Sequence, residues 1–105
     1  MKRSNGTYTT HHAPERAALV GVEIRGKHTD RSLRESLAEL GDLTRAANAE
    51  VVARVSQRLD RPSRTYLGKG KLEELQTLIH DEDIDVVVFD DELAPAQQKA
   101  LEDLL

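Results

Sequence analysis

Basic side chains and glycines are concentrated between residues 54 and 71, directly ahead of an apolar helical pattern. This segment holds six Lys or Arg and one acidic residue, whereas the whole 105-residue chain has a net charge of −4. The first turn of a helix favours anions, and cationic side chains beside it attract phosphate groups. The residue types and their spacing therefore predict an anion-binding turn. Its cations are Arg54, Arg58, Arg61, Arg64, Lys69 and Lys71.

The predicted turn differs from the phosphate loop of nucleotide hydrolases. That loop reads Gly, four residues and then Gly-Lys-Ser/Thr, because the last hydroxyl holds Mg²⁺. Here Thr65 stands five positions before Gly70, and Leu72 follows Lys71. The pattern favours RNA phosphate as the ligand, with Tyr66 as a nearby aromatic side chain able to stack on a base. In the alternative interpretation, the glycines only form a tight strand-to-helix turn and the arginines are a solvated face.

Three adjacent carboxylates, Asp90-Asp91-Glu92, follow a predicted buried strand, at the edge of the sheet where ligands bind in open α/β folds. Such a group is able to hold Mg²⁺. However, acidic residues shortly before a helix also interact well with the helix dipole. Because the sequence places no basic, hydroxyl or histidine partner beside these carboxylates, the dipole interpretation is preferred and no metal site is assigned.

Nucleophilic and metal-dependent catalysis find no support in the remaining polar residues. The chain has no cysteine, and Ser56 and Ser63 lack the motif that surrounds a catalytic serine. The histidines show no metal-ligand spacing on a rigid element. They are His11, His12, His28 and His80. We therefore expect a protein that binds a ligand and does not catalyse a reaction.

Strand and helix patterns alternate three times along the chain. Each strand pattern is apolar and rich in β-branched residues, and each helix pattern places leucine or alanine at helical spacing. This alternation predicts a small three-layer βαβαβα domain of the α/β class, with a three-stranded parallel sheet. The predicted strands are Arg16–Arg25, Glu50–Arg58 and Ile84–Phe89, and the predicted helices run from Asp30 to Ala47, through Leu72, Leu75, Leu78 and Ile79, and from Pro95 onward.

Length and composition fit one domain over residues 15–105, preceded by a disordered polar tail over residues 1–14. No apolar run has the length of a signal peptide or a membrane helix. Since cysteine is also absent, we expect a cytoplasmic protein without a membrane partner.

Residues 50–62, 65–75 and 88–97, in that order and spacing, resemble the amino-terminal domain of the HflX family of ribosome-associated GTPases. In that family the domain precedes a helical linker and a GTPase domain. The resemblance implies docking on ribosomal RNA of the large ribosomal subunit, near the peptidyl transferase centre, in the splitting or rescue of stalled ribosomes. By position, it assigns the RNA contact to Arg58, Arg61, Arg64, Tyr66, Gly68, Lys69, Gly70 and Lys71.

The resemblance also sets expectations about what this chain lacks. GTP and Mg²⁺ belong to the family's GTPase domain, so no cofactor and no GTP hydrolysis are expected here. The family domain continues into a fourth strand, whereas this chain ends at Leu105, so we expect an unpaired sheet edge. Two alternatives stay open. One is ATP binding, reported for some family members and without assignable residues here, and the other is a protein-interaction fragment whose sheet edge accepts a partner strand.

Overall fold

Strands and helices alternate three times in the computed structural model, which describes residues 13–27 and 31–105. The predicted βαβαβα order is confirmed. The elements are β1 (Glu15–Ile24), α1 (Leu33–Ala46), β2 (Ala49–Leu59), α2 (Lys69–Asp81), β3 (Val86–Phe89) and α3 (Pro95–Leu104). The predicted tail falls mostly on residues 1–12, which lie outside the described residues, as does the predicted start of the first helix at Asp30.

The helix α1 begins where a serine can cap it. The Ser32 hydroxyl accepts a hydrogen bond from the Glu35 N–H at 3.1 Å, which satisfies one of the helix's first amide groups. The third strand is shorter than predicted. Ile84 is fully buried, but its N–H donates to the Ile79 carbonyl at 3.1 Å, so it closes the turn after α2 and does not extend β3.

The first strand of the chain occupies the middle of the sheet. The strand order is β2-β1-β3, and both pairings with β1 are parallel, as predicted. This position explains the continuous apolar run of β1, because a central strand is covered on both faces. The four residues from Ala17 to Val20 are completely buried.

Helices cover both faces of the sheet. On one face, Ala18 and Val20 join a core with Leu72 and Leu75 of α2 and Leu101 of α3. On the other face, α1 lies so close to β1 that a Cβ atom on Gly21 would stand 2.7 Å from the Leu33 Cδ1 atom. The predicted three-layer arrangement is therefore confirmed, and a glycine permits the close approach of α1.

One face of β2 remains in contact with solvent, as the alternation of polar residues predicts. A bulge opposite Ala17 and Ala18 of β1 inserts one extra residue, Val52, into β2. Beyond the bulge, Arg54, Ser56 and Arg58 are all exposed, whereas Val55 between them is buried. The bulge thus sets which side chains in the second half of β2 point to solvent.

Both outer strands have an open edge within the part of the chain that the structure describes. There, β2 and β3 each pair only with β1, so an unpaired edge is present at both sides of the sheet. The family's fourth strand stays a prediction. None of the helices among the described residues is long and apolar enough to cross a membrane.

Candidate nucleic-acid interface and adjacent crevice

The basic segment, defined as residues 58–71, connects β2 to α2 at the carboxyl edge of the sheet. The side chains of Arg58, Arg61, Arg64 and Lys69 belong to exposed residues and form no hydrogen bond or ion pair with any described residue. Lys71 differs, because its ammonium group lies 3.1 Å from the Glu74 carboxylate. Four cations are therefore free to meet an external anion.

Hydrogen bonds hold the backbone of the basic segment in one conformation. The Ser63 and Thr65 hydroxyls both donate to the Leu67 carbonyl, at 2.9 and 2.8 Å. Two amide side chains fasten the segment to its neighbours. Gln57 of β2 accepts from the Gly68 N–H at 2.8 Å, and Gln97 of α3 donates to the Ser63 carbonyl at 2.9 Å. The cations thus project from a fixed turn, which lowers the entropy cost of binding.

The amino terminus of α2 adds a second attraction for anions. Gly68 is its N-cap and supplies no side-chain cap, and the first turn contains no acidic residue. The first helical hydrogen bond runs from the Leu72 N–H to the Gly68 carbonyl at 2.9 Å. The N–H groups of Lys69, Gly70 and Lys71 therefore have no partner among the described residues, and they carry the positive end of the helix dipole.

Tyr66 lies inside the protein and does not present its ring to solvent. Only 7% of the residue is exposed, and its ring packs edge-on against Phe89 with the centroids 5.5 Å apart. Its hydroxyl donates to Asp91 Oδ2 at 2.6 Å and accepts from the Val22 N–H at 3.2 Å. Burial and the neighbouring Asp91 carboxylate raise the pKa of the Tyr66 hydroxyl, which stays protonated. In this conformation the ring face is closed to a stacking base, and Tyr66 anchors the basic segment.

The backbone of Tyr66 supports this anchoring role. Its φ is +65°, in the left-handed region that non-glycine residues seldom adopt. Such a conformation costs free energy, so it persists only where the surrounding contacts require it. The two hydrogen bonds of the hydroxyl and the contact with Phe89 are those contacts.

A crevice with a volume of about 480 Å³ lies beside the basic segment, at the carboxyl ends of β1 and β3. The chain leaves β1 and β3 toward different helices here, and ligands of open α/β sheets bind at such switch points. Val22, Ile24 and Leu33 form apolar parts of its wall, whereas Asp90 and Asp91 supply carboxylates. The sequence indicates the carboxylates but not the crevice, because its wall comes from three stretches of chain that are distant in sequence, within 22–36, 62–66 and 90–97.

The acidic residues after β3 do not occupy the first turn of α3. That turn contains no acidic residue, and the Ala94 N–H at its start is bonded to Gln97 Oε1 at 3.1 Å. Asp91 instead bonds Tyr66, a partner that the sequence does not reveal. Residues 13–27 and 31–105 contain no group of three or more side chains arranged to hold a metal ion.

Of the four histidines, only His80 belongs to the part of the chain that the structure describes. His80 ends α2 on the surface, with its Nδ1 atom 3.1 Å from the Asp81 carboxylate. His11, His12 and His28 lie outside the described residues.

We expect Asp90 to make the stability of the folded domain depend on pH. Burial and the neighbouring Asp91 raise the pKa of its carboxyl group, and Glu39 adds to this while Arg31 opposes it. Because the folded pKa exceeds the unfolded one, the stability linked to this proton is present at low pH and is lost as pH rises through the folded pKa. We expect Asp90→Asn to raise the melting temperature at pH 7. The difference should disappear as pH falls through the carboxyl range.

Thermal melts followed by circular dichroism across that pH range will check this expectation. Glu92→Gln is the matched control, since it removes one charge from the neighbouring exposed position. A gain in melting temperature that is the same at every pH, or the same in both variants, would contradict the role given to the Asp90 proton.

The profile of a protein family described as "GTP-binding GTPase N-terminal" matches residues 34–105 of this chain. The match covers α1 through α3 and includes the whole basic segment.

Several curated proteins called GTPase HflX are similar to the chain over most of its length. The protein of Flavobacterium psychrophilum is 40% identical over 92 residues, which cover 87% of this chain and 22% of that protein. The protein of Lacrimispora saccharolytica is 44% identical over 93 residues, which cover 87% of this chain and 21% of that protein. An archaeal relative from Thermococcus kodakarensis is 42% identical over 78 residues, which cover 74% of this chain and 17% of the relative. The chain thus spans about a fifth of the length of these relatives.

Proposed function

The chain belongs to the GTP-binding GTPase N-terminal family, the amino-terminal domain of HflX GTPases, and on that premise we propose that it is an RNA-docking domain. Its ligand is ribosomal RNA of the large subunit, and it acts in the cytoplasm. In the longer relatives, the remaining four-fifths of the protein would carry GTP hydrolysis, and the docked domain would serve the splitting or rescue of stalled ribosomes.

The observation that carries this proposal is the set of unpaired cations on a fixed turn. Four exposed cations of the basic segment and the free N–H groups of α2 lie at the same edge of the sheet. Phosphate contacts supply most of the affinity of proteins for nucleic acids, and they need no base recognition. A flexible basic tail would lose more conformational entropy on binding than this hydrogen-bonded turn does.

The distribution of charge supports one orientation on the RNA. Residues 72–105 contain eleven acidic residues and one basic residue, and three of the acidic ones, Asp90, Asp91 and Glu92, line the crevice beside the basic segment. Asp81, Glu82 and Asp83 form an exposed acidic turn before β3, at the opposite edge of the sheet from the basic segment. Basic and acidic groups at opposite edges of a protein orient it as it diffuses toward a charged partner. The domain would approach RNA with the basic segment leading and the acidic turn facing away.

Removal of the cations should abolish tight docking. We expect the variant with Arg61, Arg64, Lys69 and Lys71 changed to alanine to bind purified large ribosomal subunits at least about tenfold more weakly. The dependence of log affinity on log salt should flatten by roughly one unit for each phosphate contact that is lost. Co-sedimentation of the chain with large subunits across a salt series measures both quantities.

A matched pair of double variants separates the basic segment from net charge. Arg61→Ala/Arg64→Ala and Arg34→Ala/Lys99→Ala change the total charge equally, but Arg34 and Lys99 lie on α1 and α3, outside the basic segment. Only the first pair should weaken binding markedly. Equal losses in the two pairs, or equal binding by the wild type and the fourfold variant, would count against RNA docking through this segment.

A further inference from the structure

The crevice shares part of its wall with the basic segment. Pro62 and Ser63 belong to the wall of the crevice and also to the basic segment. The exposed cations Arg61 and Arg64 flank them in the chain. A phosphate backbone held by these two arginines would therefore place its sugars and bases at the mouth of the crevice.

The crevice has the size and the two kinds of wall that suit one nucleoside. Its volume of about 480 Å³ lies in the range of about 300–1,000 Å³ that is typical of small-ligand pockets. Apolar side chains on β1 and α1, among them Val22, Ile24 and Leu33, form a surface against which a base can pack. The carboxylates after β3 lie across from β1's end and offer acceptors for hydroxyl groups.

Asp90 is the carboxylate available for such a bond. The Asp91 carboxylate already accepts the Tyr66 hydroxyl at 2.6 Å, whereas the Asp90 side chain accepts no hydrogen bond from the described residues. A carboxylate repels phosphate but accepts strongly from the hydroxyl groups of a ribose. Phosphates would then lie on the basic segment and sugar hydroxyls at Asp90, while Lys27 and Arg31 add two cations to the wall of the crevice.

We propose that the crevice receives one unpaired nucleoside of the bound RNA, with the Asp90 carboxylate accepting a hydrogen bond from its ribose 2′-hydroxyl. This inference rests on the proposed function and makes it more specific. Single-stranded loops and ends of RNA present such splayed-out nucleosides, and the 2′-hydroxyl is the group that distinguishes RNA from DNA. The domain should therefore discriminate against DNA, although its cations alone would bind both.

The test compares short single-stranded RNA with DNA of the same sequence, by fluorescence anisotropy with the full chain. A hydrogen bond to a charged group contributes enough for roughly tenfold preference, so we expect the wild type to bind RNA about tenfold more tightly. A 2′-O-methyl RNA, which cannot donate from that position, should bind as weakly as DNA. Asp90→Ala should bring RNA and DNA affinities to within about twofold of each other.

Two further variants make each outcome decisive. Glu92→Ala removes the same charge from the exposed rim and should keep the preference for RNA. Asp90→Asn keeps the shape of the side chain, and a thermal melt of both Asp90 variants confirms that they fold. Equal binding of RNA and DNA by the wild type, or a preference that survives Asp90→Ala, overturns the inference and leaves RNA docking intact. Absence of binding to either nucleic acid overturns both proposals.

Discussion

Replacement of Tyr66 by alanine is expected to destabilise the domain by about 3–5 kcal/mol, the usual range for removing a buried aromatic side chain. The ring packs against Phe89, and the hydroxyl joins β1 to the segment after β3 through Val22 and Asp91. For a domain of this size, such a loss lowers the melting temperature by roughly 15 °C or more. Circular dichroism melts of the two proteins under identical conditions measure it.

Tyr66→Phe separates the hydroxyl from the ring. It keeps the packing against Phe89 but leaves the Val22 N–H without its partner, at an expected cost of about 1–3 kcal/mol. A phenylalanine variant as stable as the wild type would show that the two hydrogen bonds contribute nothing to anchoring. An alanine variant with the same melting temperature as the phenylalanine variant would show that the ring contributes nothing to anchoring.

Leu19→Ala is expected to cost about 2–5 kcal/mol, because Leu19 is completely buried in the central strand. Its side chain lies under α1, where a Cβ atom on Gly41 would meet the Leu19 Cδ1 atom at 3.5 Å. Alanine would leave a cavity between the sheet and this helix. Since domains of this size have a free energy of unfolding of about 5–15 kcal/mol, the loss is a large fraction of the total.

Urea denaturation followed by circular dichroism gives the free energy of unfolding for this comparison. Leu43→Ala is the matched control, since Leu43 lies on α1 and 62% of it is exposed. Its stability should stay within about 0.5 kcal/mol of the wild type. Similar losses in the two variants would mean that α1 is not packed on β1 as the structure has it.

The fold was predictable because its main signals are local. The apolar run of β1, the Ser32 cap and the leucine spacing of α1 each act within a few residues. The alternation of strand and helix then leaves few arrangements for a parallel sheet. The later start of the third strand, at Val86 and not at Ile84, was missed because the Ile84 N–H closes a turn with Ile79. An apolar pattern does not show where backbone hydrogen bonds go.

The candidate site was predictable only in part, for a physical reason. Charged side chains without a partner stay in water, so the residue types alone predict that Arg61, Arg64 and Lys69 are exposed. Tyr66 was predicted to stack on a base, whereas only 7% of the residue is exposed, its ring packs against Phe89 and its hydroxyl donates to Asp91. Those partners lie more than twenty residues away in the chain, and no local pattern reports such a contact. The crevice escapes sequence reasoning in the same way.

The order of the sheet has a consequence for how the chain matures during synthesis. β1 precedes both of its neighbouring strands in the chain. Its Arg16 N–H donates to the Asp85 carboxylate, which lies 69 residues further along. Contacts between residues distant in sequence form late, because the ends of a long loop must first come together at a cost in chain entropy. Asp91 and Gln97, which bond Tyr66 and Ser63, lie 25 and 34 residues after those partners in the chain. In a nascent chain the turn of the basic segment therefore lacks these two hydrogen bonds until the start of α3 has left the exit tunnel.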